Sequence, residues 1–327
     1  MKKITYSKGI LEGFTYLLEN HKEVFVLGQG LWSPWYVGAS MTDLDKIFGR
    51  DRIIDSPVSE QATTGAGVGA SIHGKRPVIV HPRVDFMLLA VDQIVTQAAK
   101  WRSMFGGKSS APVTIRGMIN RGGEQGAQHS QSLHSWFAHI PGLRVVMPFT
   151  ANDARDLLIA SVLSDDPVLY IDDRWLYDIE DDFHDIDFTP LDKQGPKVIK
   201  QGSDITLVSS SYTTKLCLEA AAIIEDTIGV SAEVIDLRVI NPINYSNILN
   251  SVMKTGRLCV VDGCWSNCGL AGEIIAGVVE RIGINHLKLN PKRITLPDTP
   301  APTSKLLESN YFIQTNQIVE YIRSINF

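Results

Sequence analysis

"RIIDSPVSEQATTGAGVGASIHGKRPVIVH", Arg52 to His81, decides the fold. Two short β-branched runs, "RIID" (52–55) and "PVIVH" (77–81), flank a stretch at 59–73 that reads as a helix. Strand, helix and strand in close succession make a βα unit whose strands lie parallel in one sheet. Pro57 and Ser59 supply an entry and a cap, and Glu60 then falls in the first helical turn, where a carboxylate suits the positive end of the helix dipole. Gly65, Gly67 and Gly69 form G-x-G-x-G inside the helix, without the third glycine of a strand-to-helix turn. They read as packing glycines, and a dinucleotide site is disfavoured. On these residues alone Glu60 is either a capping carboxylate or a functional one.

The same rhythm extends in both directions. Further strands are expected at "VFVLG" (24–28), "PVTIRG" (112–117), "LRVVMP" (143–148) and "PVLYID" (167–172), with helices near 6–20, 88–104 and 150–164. The acidic, proline-containing segment "DIEDDFHDIDFTPLDKQGPK" (178–197) breaks the pattern and reads as a linker. A second series follows: "DITLVSS" (204–210), a helix to about 226, "AEVIDL" (232–237), "RLCVVD" (257–262), a helix opening at "GLAGEII" (269–275), "KRITL" (292–296) and a terminal helix near 314–325. The expectation is an α/β protein of mainly parallel sheets with helices on both faces. Its 327 residues suit two domains, 1–180 and 199–327, joined by a linker at 181–198.

Composition narrows the function. A net charge of −5 with scattered Lys and Arg leaves no footprint for a phosphate backbone, so nucleic acid is not an expected partner. No 18-residue apolar run and no signal-peptide pattern occurs, which argues against a membrane span. Cys217, Cys259, Cys264 and Cys268 fit no zinc spacing and read as buried free thiols in a reducing cytoplasm.

Two further stretches hold residues capable of chemistry. In "HPRVDFMLLAVDQIVTQAAKW" (81–101), His81, Arg83 and Phe86 follow the carboxyl end of a strand, where open α/β sheets bind ligands. Phe86 reads equally as core, and Arg83 as a partner of Asp85. In "GMINRGGEQGAQHSQSLHSWFAHIPGLRVVMP" (117–148), a loop containing Gly122, Gly123 and Gly126 leads into an expected helix. His129, His134 and His139 are five residues apart, and on a helix such residues are rotated by about 140°, so they do not converge on one metal. His129 directly follows the loop, whereas His134 and His139 default to packing or surface roles.

Taken together, "DSPVSE", "DFMLLAVDQIVTQAAKW", "GAQHSQSLHSWFAHIPGLRVVMP", "AEVIDLRVINPI", "KTGRLCVVDGCW" and "GLAGEI" resemble the beta subunit of the thiamine-diphosphate-dependent 2-oxo acid dehydrogenases, the decarboxylating components of the pyruvate, branched-chain and acetoin dehydrogenase complexes. The similarity runs in order over about residues 4–325. It implies an N-terminal pyrimidine-binding domain, a C-terminal transketolase-type domain and an α2β2 heterotetramer with a beta–beta contact. Thiamine diphosphate would be shared with an alpha subunit that holds Mg2+, because the G-D-G and N-N motif is missing here; "VVDGCW" keeps only Asp262 and Gly263 of it. The chain would be active only with that alpha subunit. The resemblance makes Glu60 the carboxyl that bonds the aminopyrimidine ring nitrogen, Phe86 the aromatic that packs on that ring, and His129 the histidine that handles protons or positions the acceptor in acyl transfer.

The implied activity is oxidative decarboxylation of a 2-oxo acid, with acyl transfer to a lipoyl group of a dihydrolipoyl acyltransferase. The alternative is half of a two-subunit transketolase-like or acyloin-forming ketolase of a specialised pathway. "LSDDPVLYIDD" (163–173) matches a region where some members bind a structural K+ through backbone oxygens, and 297–312 matches a partner-facing segment. Departures from the family concentrate around the site: "GQGLWSPWYVG" after the first strand, "QATT" after Glu60 and "HPRVD" before Phe86. Arg83, Gln128 and Trp32 are the candidate walls of the substrate pocket, with Arg83 suited to a carboxylate or phosphate.

Overall fold

The computed structural model describes residues 3–325 and 327, which form two compact units. The first comprises the chain up to Asn120, Trp136–Gln194 and Ile240–Pro242; the second comprises Arg121–Ser135, Gly195–Val239 and Ile243–Phe327. The glycine-rich segment 121–135 therefore groups with the second unit, although it precedes the linker by more than forty residues.

The elements of the first unit are β1 (Lys3–Thr5), α1 (Tyr6–Asn20), β2 (Val24–Gly28), α2 (Leu44–Phe48), β3 (Ile53–Asp55), α3 (Glu60–Ser71), β4 (Arg76–His81), α4 (Ala99–Met104) and β5 (Thr114–Ile119). After the short helix α5 (His134–Ala138) come β6 (Arg144–Met147), α6 (Ala151–Val162), β7 (Val168–Asp173) and β8 (Glu180–Asp182). Its main sheet has the order β6-β7-β5-β4-β2-β3, and every adjacent pair is parallel. β12 (Arg238–Asn241) forms the edge beside β6. Strands β4, β5, β6 and β7 are buried almost throughout, which is why they read as continuous apolar runs and not as alternating ones. α1 and α6 pack together, and Thr5 and Thr150 cap them by accepting from Lys8 and Asp153 amides.

The second unit holds β9 (Lys197–Lys200), β10 (Ile205–Ser209), α7 (Tyr212–Ile228), β11 (Ala232–Asp236), α8 (Ser246–Thr255), β13 (Leu258–Trp265), α9 (Leu270–Ile282), β14 (Lys292–Leu296), α10 (Lys305–Tyr311) and α11 (Thr315–Arg323). Its sheet order is β14-β13-β10-β11-β9, parallel except where β9 meets β11.

Several expectations need correction. The helix expected to run through His129 and His139 is confined to His134–Ala138. Gly122, Gly123, Glu124 and Gly126 have positive φ, and the chain stays irregular up to Leu133. His129 lies in a turn closed by its own amide on Gly126 O, so helical rotation says nothing about the three histidines. Among the described residues no cluster of three His, Cys, Asp or Glu side chains is arranged to hold a metal. The expected helix 88–104 is a 3-10 turn at Phe86–Ala90, a π-helical stretch at Asp92–Ala98 and then α4. The linker region contains β8, antiparallel to β1. Cys217, Cys259 and Cys264 are buried free thiols, but Cys268 is exposed. Ser59 occupies the cap position of α3 without a side-chain cap bond. Of the three helix glycines only Gly67 is tightly seated, where a Cβ would fall 2.5 Å from Ile79.

Candidate active site

Because strands β2 to β7 of the first unit's main sheet are parallel, their carboxyl ends share one edge. The strand order reverses at β2: β3 lies on one side of it and β4 on the other, the position at which open α/β sheets bind ligands. A side chain on Gly28, the last residue of β2, would strike Val80 O of β4 at 2.4 Å. Glycine is needed there for the two strand ends to pair.

Glu60 follows β3 and opens α3. It is 8% exposed, although Pro57, Val58 and Ser59 before it are exposed. No hydrogen bond or ion pair from a described residue engages its carboxylate. One turn further on, Thr64 Oγ1 lies 3.1 Å from His81 Nε2, both side chains being buried. Burial pushes the His81 imidazole down to about 4, so it is neutral at physiological pH. α3 also packs on the 3-10 turn that begins with Phe86. The connection before that turn is pinned to β5 by the Val84 amide on Met118 O at 2.9 Å. Phe86 is half-buried. An unpartnered carboxylate and an aromatic ring thus open two elements that pack together.

Of the pocket-wall candidates of this unit, Arg83 follows the carboxyl end of β4, whereas Trp32 is anchored at the start of β3. Trp32 is anchored by its indole N–H on Ile53 O at 2.8 Å, and the Arg50 guanidinium covers its ring at 4.1 Å. Arg83 has its pKa lowered, first by burial and then by the charge of Arg174, with Asp85 and Tyr36 opposing. Arg174 follows β7 and donates to Tyr36 O at 3.5 Å. Two cationic side chains therefore lie near one another at this edge. In the region matched to a K+ site, the Ser164 carbonyl accepts from Arg76 at 2.7 Å, as does the Val162 carbonyl just before the region at 3.0 Å.

Gln128 and His129 belong to the second unit, the first exposed and the second half-buried. His134 is buried, with Nε2 2.8 Å from Asp262 Oδ1. The Asp262 carboxylate also accepts from the Cys264 amide at 3.2 Å and the Ala271 amide at 3.1 Å. Both of its oxygens therefore accept hydrogen bonds within the protein. His139 is exposed. The Thr64–His81 and His134–Asp262 pairs were not visible in the sequence, and the only signal available was the place of His81 at the end of β4.

Two family models match: the transketolase pyrimidine-binding domain over residues 2–178 and the transketolase C-terminal domain over 196–318. The chain is 36% identical to the mitochondrial pyruvate dehydrogenase E1 component subunit beta of Homo sapiens, over 98% of this chain and 90% of that protein. It is 39% identical to the acetoin:2,6-dichlorophenolindophenol oxidoreductase subunit beta of Cupriavidus necator, over 84% and 80% of the two chains. Among solved structures it resembles an inactive β4 tetramer of a split-gene transketolase (TM-score 0.78, 22% identity, 98% and 97% covered). It also resembles the transketolase of Campylobacter jejuni (TM-score 0.73, 16% identity, 99% of this chain and 47% of that one). Among the described residues no helix is long and apolar enough to cross a membrane. The chain belongs to the thiamine-diphosphate-dependent, transketolase-like family, in the group of 2-oxo acid dehydrogenase E1 beta subunits.

Proposed function

We propose that the chain is the beta subunit of a 2-oxo acid dehydrogenase that works with an alpha subunit in an α2β2 complex. The complex releases carbon dioxide from a 2-oxo acid and passes the acyl fragment to a lipoyl group of a dihydrolipoyl acyltransferase, whose disulfide takes up the two electrons. The observation that carries this reading is the Glu60 carboxylate, buried in the first turn of α3 without a partner among the described residues. Leaving a buried acceptor unmet costs about 1–3 kcal/mol, and a hydrogen bond in which the carboxyl group and a ring nitrogen share one proton removes that cost. The residues fit thiamine diphosphate in this respect.

When bound, the cofactor supplies the electron sink for decarboxylation. Glu60 would bond the aminopyrimidine ring nitrogen and control its proton, and Phe86 would pack on the ring. His129 would handle a proton during acyl transfer, work that suits an imidazole. Arg83, with Arg174 near it, would favour a substrate carrying an anionic group, and Gln128 and Trp32 would complete the pocket walls. Mg2+ and the diphosphate would be held by the alpha subunit, since the Asp262 carboxylate is already occupied by His134, Cys264 and Ala271. A structural K+ at 163–173 would draw on carbonyls other than those of Val162 and Ser164. The buried thiols Cys217, Cys259 and Cys264 suit a reducing cytoplasm.

The test is reconstitution with the alpha-type chain, a screen of 2-oxo acids with an artificial electron acceptor, and substitution of Glu60. Glu60→Ala is expected to lose about 10²- to 10⁴-fold of thiamine-dependent turnover, the usual share of positioned proton transfer. Turnover equal to wild type would remove Glu60 from the mechanism.

A further inference from the structure

We propose that His134 is a positioning residue: through Asp262 it fixes the segment that carries His129 and so sets where that imidazole stands for acyl transfer. The second half of this statement rests on the role given to His129 above. Segment 121–135 cannot hold itself in place. It has left-handed residues at Gly122, Gly123, Glu124 and Gly126, and it is irregular until α5 begins at His134. The turn of His129 N on Gly126 O is its one internal backbone bond among those of the described residues. Ordering such a chain costs about 1–2 kcal/mol per residue, so its conformation has to come from anchors on neighbouring structure.

Anchors lie at both of its ends, within the second unit. Toward the start, the Glu124 amide donates to Glu308 Oε2 at 3.0 Å, and Gly126 is seated where a Cβ would be 2.6 Å from Thr303 Oγ1. Toward the end, Ser132 O accepts from Cys264 Sγ at 3.0 Å, His134 Nε2 meets Asp262 Oδ1 at 2.8 Å, and Ser135 Oγ accepts from the Leu270 amide at 3.0 Å. Between them Ala127 and Gln128 are exposed and His129 is half-buried. Two of these anchors end on a buried carboxylate, the Glu124 amide on Glu308 and His134 on Asp262, a stronger kind of bond than the neutral ones, and His134 supplies the one at the end that leads into α5.

The bond is also asymmetric. Without His134, Asp262 keeps two backbone amides, that of Cys264 in β13 and that of Ala271 at the start of α9. His134 has no such reserve, because its Nδ1 is buried without a partner among the described residues. Changing His134 should therefore loosen the segment and leave β13 and α9 intact. A histidine that merely filled the core would not act so selectively.

The test uses the full chain, with His134→Leu to remove the donor and His134→Gln to restore one. Amide exchange of residues 126–133 is expected to quicken about 10- to 100-fold in H134L, the factor for a lost hydrogen bond to a charged acceptor, and to recover in H134Q. Exchange in β13 and α9 should not change. In the reconstituted complex, H134L should lower kcat with free lipoamide as acceptor while KM for the 2-oxo acid stays at its wild-type value. Unchanged exchange at 126–133, or a rise spread over the whole second unit, overturns the anchor. A rise confined to 126–133 with unaltered lipoamide kcat overturns the link to acyl transfer. Failure of the functional reading is distinguishable, because the wild-type complex would then reduce no lipoamide although the exchange response persisted.

Discussion

His81 should make the first unit lose stability in mild acid. Its imidazole is buried against Thr64 at the end of β4, and burial lowers its pKa from an ordinary 6.5 to about 4. In the unfolded chain the ring takes up a proton near its ordinary value; in the folded chain it resists until about 4. The unfolded state therefore binds more protons across this window. Stability is fully present above the unfolded value and falls as pH drops toward the folded one. A displacement of about 2.5 units corresponds to roughly 3 kcal/mol over the whole window, of which roughly 2 kcal/mol is lost between about pH 7 and about pH 5. His81→Gln keeps an amide able to bond Thr64 but removes the titration. Urea unfolding followed by tryptophan emission reports mainly on this unit, which contains Trp32, Trp35, Trp101, Trp136 and Trp175, against Trp265 alone in the second. Carboxylates titrate alike in both proteins, so the comparison isolates the histidine. The acid-induced loss should be smaller in H81Q by roughly 2 kcal/mol, and equal losses in the two proteins would refute the assignment of a buried neutral imidazole.

Two further tests concern what holds the first unit. Arg116 and Asp172 are fully buried and paired at 3.2 and 2.8 Å, with Tyr177 OH donating to Asp172 at 2.5 Å. Asp172→Ala leaves a buried guanidinium uncompensated and should cost about 3–5 kcal/mol in urea unfolding, most of it recovered by the double change R116M/D172L; a double variant as unstable as the single one contradicts this. Gly142 has φ +89° and a Cβ there would lie 2.0 Å from Ala99 O, so Gly142→Ala should lower the thermal midpoint by an amount equivalent to more than about 1–3 kcal/mol. Gly69, inside α3 with open space around its Cα, is the control: Gly69→Ala should stabilise by about 0.4–1 kcal/mol.

The strands were legible because parallel strands buried on both faces leave a local mark. "VFVLG" coincides with β2, and "PVIVH", "LRVVMP" and "KRITL" fall within one or two residues of β4, β6 and β14. Short edge strands such as β9 and β12 bury too little to leave one. The segment after Gly126 misled because a helix does form, but not until His134, while its glycines at positive φ and its run of serine and glutamine residues favour a loop tied down by side chains.

Partners distant in sequence are harder to read, since Thr64 and His81 are 17 residues apart and His134 and Asp262 are 128 apart. Yet the first pair follows from one contact and two periodicities. Gly67 is the one helix glycine seated against the sheet, and it faces Ile79 of β4. Side chains on a strand share a face every second residue, so His81 lies on the face of Ile79, about 7 Å further toward the carboxyl end. Moving from Gly67 back to Thr64 advances about 4.5 Å in the same direction along a helix antiparallel to the strand, which brings Thr64 opposite His81. One more turn, about 6 Å, carries the chain past the end of β4 and arrives at Glu60. The carboxylate therefore emerges beyond the sheet edge because of where Gly67 sits, and the Thr64–His81 hydrogen bond locks the last shared turn before it. In this chain the residues "QATT" and "HPRVD" are two halves of one support beneath Glu60.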